Sequence, residues 1–206
     1  MNLIEIRYPA DVLDESQRRA IATSIAAKLL VEPDAPASAI ERAGQATHIW
    51  FTPAQTWTTG AAPWRTGQSS PAVVTVTVPE VWRAELSRHA ISAVRAALAR
   101  HAPQLDLESG TAVWINVVGV PDGSIGMNGR PATSVDIVRH LTQDVVVATD
   151  DVPDGVLIDP VCGMRVHLGP HTITLQDHGR TVGFCATGCR EVYAEDHLLG
   201  ARRSRG

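Results

Sequence analysis

No run of this sequence approaches the roughly 20 apolar residues that cross a bilayer, so a membrane-embedded chain is not expected. The opening MNLIEIRYPAD places acidic and polar groups where a secretory leader needs a basic start and an unbroken apolar stretch. The expected compartment is the cytoplasm. Lysine is almost missing: every basic residue but Lys28 is arginine, and the net charge is −4. Binding phosphate backbones takes clustered cations, whereas the eighteen Lys and Arg are spread along the chain. Nucleic acid is therefore not an expected partner. The one basic cluster, the tail ARRSRG, reads as a solvated, frayed terminus. Cysteine is absent before Cys162, and tryptophan is absent after Trp114.

What is present is ordinary globular composition, 44% hydrophobic and 19% charged, in 206 residues. That length suits one domain, or one plus a small module. The opposite placement of tryptophan and cysteine marks a boundary, and the acidic, Pro- and Gly-bearing run ATDDVPDGV, residues 148–156, is the expected linker. It would separate a domain at 1–147 from a second at 157–206.

Within 1–147 two blocks, about 1–66 and 71–143, follow one plan. LIEIRY alternates, with Ile4, Ile6 and Tyr8 on one face of a strand. Asp14, with Gln17 three residues on, starts a helix in which Ile21, Ile25 and Leu29 recur. THIWF at 47–51 is again strand-like. In the second block Val74, Val76 and Val78 alternate with threonine. Leu86, Ala90, Val94 and Leu98 then mark a helix over about 82–100, and AVWINVVGV closes the unit as a strand. Each unit is followed by a glycine-bearing turn region, TWTTGAAPWRTG or PDGSIGMNGRP. A helix between two strands makes a right-handed parallel crossover. The expected fold is thus α+β: two tandem β-α-β units forming a four-stranded sheet with both helices on one face, then a small β-hairpin plus helix module. The other sheet face, apolar in part, needs a cover, and a second copy of the chain supplies one.

These elements, with TTGAAP and GSIGMNG after the second strand of each unit, resemble the tautomerase superfamily over the first 145 residues. The same element order also describes a ferredoxin-like fold, in which the strand order differs. The resemblance implies that three sheets close into a trimer, so a homotrimer is expected. It also implies an exposed amino-terminal proline as the catalytic base, but position 2 is Asn2, and Met1 is expected to remain. Pro71 opens the second unit with its nitrogen inside a peptide bond. What remains is a primary amine with an ordinary pKa of about 7.7 to 8.0. Of the substrate-anchoring arginines near helix starts that the resemblance implies, the first unit has none and the second offers Arg83. His48 and His89 read as core or surface histidines. The domain is expected to be a scaffold without catalysis. The alternative is a tautomerase or isomerase using the Met1 amine and Arg83, with a structural metal module.

The C-terminal segment carries the thiols as C-x22-C-x3-C: Cys162 in DPVCGM, then Cys185 and Cys189 in FCATGC. HTITLQDHGRTVGFC reads as a hairpin over strand 171–176, turning through Asp177 and Gly179 and returning to Cys185. Gly163 permits a tight turn after the first cysteine. Thr187 is placed to cap a short helix holding Cys189, Val192 and Tyr193, and Arg190 beside Cys189 favours the thiolate. Thiols as core filling would explain neither the spacing nor the glycines. A thiol switch sits poorly with reducing cytoplasm and with the lack of C-x-x-C. DPVCGM and FCATGC resemble the YHS family within the TRASH group of small metal-binding modules, over residues 157–197. That resemblance implies a soft or borderline metal held by Cys162, Cys185 and Cys189, and a metal-handling or oxygenase partner protein. Thiolates suit zinc or copper(I), and a module of about fifty residues gains stability from a metal. For the fourth ligand His167, His171, His178 or an exogenous group all stand open.

Overall fold

The structure, a computed structural model, describes residues 1–108, 112–147 and 152–199. In chain order its elements are β1 (Asn2–Pro9), α1 (Glu15–Leu29), α2 (Ala37–Gln45), β2 (Thr47–Ala54), β3 (Thr58–Thr59), β4 (Ala62–Pro63), β5 (Ala72–Pro79), α3 (Glu80–His101) and β6 (Val113–Val120). There follow β7 (Ile125–Met127), β8 (Arg130–Ala132), α4 (Ser134–Thr142), β9 (Val156–Ile158), β10 (Arg165–His167), β11 (Ile173–Asp177), β12 (Arg180–Phe184) and α5 (Thr187–Tyr193). A π-helical turn, Ala194–Leu199, ends the described chain. Two compact units form: Met1–Val31 with Ala46–Val120, and Glu32–Gln45 with Pro121–Gly206. In this division α2 and residues 121–147 group with the C-terminal segment. Residues 148–151 of the expected linker and the tail ARRSRG lie outside the described residues.

The first unit is a four-stranded sheet in the order β2-β1-β5-β6. β1 runs parallel to β2, β5 parallel to β6, and β1 antiparallel to β5. The two strands of each β-α-β unit are therefore direct neighbours, which excludes the split arrangement of a ferredoxin-like fold. Strand alternation sends Ile4, Ile6, Val74, Val76 and Val78 to one face, all with no exposure, where Ile21 and Ile25 of α1 and Val94 and Leu98 of α3 complete the core. Each such side chain contributes about 1.5–3 kcal/mol by leaving water. Helix α1 starts where the sequence marks it: Asp14 accepts from the Gln17 N–H at 2.7 Å and its own N–H donates to the Gln17 side chain at 3.1 Å. The opposite sheet face exposes Trp50, Trp114 and Val118 at 42%, 56% and 45%. No helix among the described residues is long and apolar enough to cross a membrane.

In the second unit α4 packs against α2 and α5. The glycine-bearing segment expected only as a turn region contains the β7-β8 hairpin and leads into α4. Thr133 caps that helix, accepting from the Asp136 N–H at 3.2 Å while its own N–H donates to Asp136 Oδ2 at 2.9 Å. Arg139 of α4 reaches Glu195 at 3.2 Å and Asp196 at 2.6 Å in the π-helical turn. The centre of this unit's C-terminal part is Phe184, 1% exposed, edge-on to Tyr193 with ring centroids 5.5 Å apart.

Candidate metal centre

Strands β9 and β10 pair antiparallel, and the loop between them, Asp159 to Met164, closes on itself. The Asp159 N–H donates to the Met164 carbonyl at 2.9 Å, and the Gly163 N–H donates to the Asp159 carbonyl at 2.8 Å. Gly163 turns the chain at φ +73, a conformation open to glycine at little cost. This places Cys162, 5% exposed, on the inside of the loop. The β11–β12 hairpin supplies the second thiol. Its turn residues are His178 (φ 46) and Gly179 (φ 79), not the expected Asp177 and Gly179, and two successive positive φ values make it the twist-matched hairpin turn. The return strand ends at Phe184 and delivers Cys185. Helix α5 supplies the third thiol, Cys189, 5% exposed in the first turn. The cap position is Ala186 rather than Thr187, and it has no side-chain cap bond.

Three separate segments thus bring three free thiols together. Cys162 Sγ lies 3.4 Å from Cys185 Sγ, and Cys185 Sγ lies 3.7 Å from Cys189 Sγ. The fourth member of the group is Asp159, and one donor atom from each of the four lies within 4.8 Å of all the others. Donors about 2.3 Å from a tetrahedral ion stand about 3.8 Å from one another, so the spacing of the sulfurs fits an ion of that size, and this group of Asp and Cys side chains can hold one. His167 on β10, His171 and His178 are all exposed and outside the group.

The electrostatics follow from burial and from the sulfurs' own contacts. Burial first, and the Cys162 charge second, push the Asp159 carboxyl above the usual carboxylate range. The Cys162 thiol is pulled well down by hydrogen bonds from Cys185 and then Cys189. Cys185 is pushed up, first by its bond to Cys162, and Cys189 is pushed up by Cys162 and then Cys185. Asp159 was missed in the sequence although a fully buried carboxylate is rare without partners; what singles it out is a contact to a residue 26 positions away.

The residues of the catalytic alternative lie in the first unit. Desolvation lowers the Met1 amine to about 6. Arg83 is engaged by Glu80 at 2.8 Å on the first turn of α3, both half exposed. Pro71 lines a cleft of about 660 Å³ walled by Trp57, Trp64, Gln68, Ser69 and Trp114, with no charged side chain in its lining. His48 is exposed, and His89 Nε2 lies 3.0 Å from the Lys28 carbonyl.

No protein-family model matches the chain, and no curated protein does. Among solved structures, native Ps01740 is 21% identical, covering 61% of this chain and 99% of that one, with a TM-score of 0.43. A fused 4-OT, wild type, asymmetric trimer is 12% identical, covering 63% and 95%, with a TM-score of 0.48. Macrophage migration inhibitory factor of Toxoplasma gondii is 13% identical, covering 63% and 98%, with a TM-score of 0.44. At these values the likeness adds nothing to the strand order and register given above.

Proposed function

We propose that this chain is a metal-binding protein that holds a soft or borderline ion, zinc or copper(I), on Cys162, Cys185 and Cys189, and serves in sensing, buffering or delivering that ion. The observation that carries the reading is the convergence of three thiols and a buried carboxylate within 4.8 Å from three separate segments. The likeness of DPVCGM and FCATGC to YHS modules of the TRASH group points the same way. Everything that builds the cluster lies between Val156 and Tyr193, so the functional division runs near 157, with 1–147 as an oligomeric, non-catalytic scaffold. The exposed Trp50, Trp114 and Val118 favour a second and third copy of the chain as the cover for the bare sheet face, in a homotrimer. A metal-handling or oxygenase protein is the partner class that the module suggests.

Replacing Cys189 by Ser tests this. Metal stoichiometry and amide protection over 157–197 should fall together, because binding free energy in such a module is largely folding free energy. Unchanged stoichiometry, affinity and protection would remove Cys189 from the ligand set.

A second reading is favoured by the Met1 amine at about 6, a value that makes an amine a base at neutral pH. It describes a tautomerase-type enzyme in which Arg83 anchors a carboxylate and the metal module is structural. Enol–keto conversion of phenylpyruvate by the full chain, lost on acetylating the amine, would establish it. No turnover removes it.

A further inference from the structure

The four groups of the cluster are not equivalent. Asp159 has no exposure, and both of its oxygens accept from backbone N–H groups, with the Cys162 and Cys185 thiols also beside it. Oδ1 accepts from Val161 at 2.9 Å and from Cys162 at 3.3 Å, and Oδ2 accepts from Cys185 at 2.9 Å. A carboxylate offers about four lone-pair sites, and three are taken. The Oδ1 pair shapes the local turn that presents Cys162, as Asp side chains do two and three residues ahead of themselves. The Oδ2 bond reaches the end of β12. One carboxylate therefore ties the loop that delivers Cys162 to the strand end that delivers Cys185, and it does so where the two sulfurs stand 3.4 Å apart.

We infer that Asp159 is a positioning residue of the metal centre and not its fourth ligand, so that the described chain offers the ion three sulfurs. The inference rests on the metal-binding reading above. Partners of this kind, one bond removed from the ion, typically change metal affinity by about 10–100-fold when lost. Asp159→Asn separates the two roles. Its amide oxygen can keep the turn at Val161 and Cys162, while its NH₂ then faces the Cys185 N–H, donor against donor. Asp159→Ser keeps one oxygen for the turn and leaves the Cys185 N–H without that partner. Neither change enlarges the side chain, and both leave the Cys162 loop its closing backbone bonds.

The probe is cobalt(II), titrated anaerobically into the full chain and followed by absorption. Charge-transfer intensity counts thiolates, and the d–d envelope reports the donor set. For both variants the inference predicts affinity about 10–100-fold weaker and, at saturation, charge-transfer intensity reduced by the share of one thiolate in three, because Cys185 is no longer aimed. Full intensity with a displaced d–d envelope would make Asp159 a ligand and overturn the inference. A saturated spectrum identical to wild type would reduce Asp159 to general support of the module and also overturn it. Absence of thiolate-to-cobalt absorption in the wild type would overturn the metal-binding reading itself.

Discussion

Phe184→Ala tests how the metal and the apolar core share the stability of the C-terminal module. Phe184 is the largest fully buried side chain there, directly precedes Cys185, and packs edge-on against Tyr193. Truncating a buried Phe costs about 3–5 kcal/mol. Few other apolar side chains of residues 157–197 are buried; among them are Val166 at 8% and Val192 at 4%. Without metal the substitution should therefore remove most of the module's order. A ligand that binds only the folded form returns about 4.1 kcal/mol at a free concentration a thousand times its Kd, which is close to the loss. The assay is amide hydrogen exchange over 157–197, in chelator and in saturating zinc. The variant should exchange fast in chelator and regain near wild-type protection with zinc, while β1, β5 and α3 show no change in either condition. Wild-type protection of the variant in chelator would refute the claim that the module depends on its metal.

The other expectations are simpler. Asp14→Ala removes the side-chain acceptor of the α1 capping box, which takes the Gln17 N–H, and should cost about 1 kcal/mol in denaturant unfolding of the sheet unit. Trp114→Glu places a charge on the bare sheet face and should turn an oligomer into a monomer in light scattering; a wild type that is already a folded monomer would sink the trimer proposal. Gly163→Val forces a branched side chain into φ +73 and brings a Cβ within 3.2 Å of Pro36 and Val145. Strain of roughly 1–3 kcal/mol should weaken metal binding about tenfold or more in chelator competition. Asp136 is held below the usual carboxylate range, first by the Thr133 N–H and then by its hydroxyl. Its contribution is present at neutral pH and is lost as pH falls through that lowered value, so helix α4 should loosen in acid ahead of the same helix at neutral pH.

Legibility followed periodicity. Strands β1, β5 and β6 and helices α1 and α3 bury one regular face each, so alternation or four-residue spacing revealed them, and the Asp14–Gln17 box fixed where α1 begins. Parallel pairing within each unit followed from the crossover rule, but which strands became neighbours needed the structure. Helices α2 and α4 escaped because each has nine residues, too few for a period to stand out between glycines and prolines. The Thr133–Asp136 spacing was the available signal for α4. A Cβ at Gly119 in β6 would stand 2.8 Å from the Glu80 Cα, so the start of α3 requires the glycine. At the site, cysteine spacing and Gly163 were visible in the chain, whereas Asp159 acts on Cys185 through a contact that only the folded hairpin creates.

The measurement that bears most directly on the central claim is metal content per chain by elemental analysis, made on the purified protein and again after chelator followed by one equivalent of zinc or copper(I), for wild type and Cys162→Ser. The account predicts one tightly held ion per wild-type chain, removed by chelator, restored on addition, and absent from the variant. Wild type that retains no ion at one equivalent, or a variant that holds it as well as wild type, would contradict it.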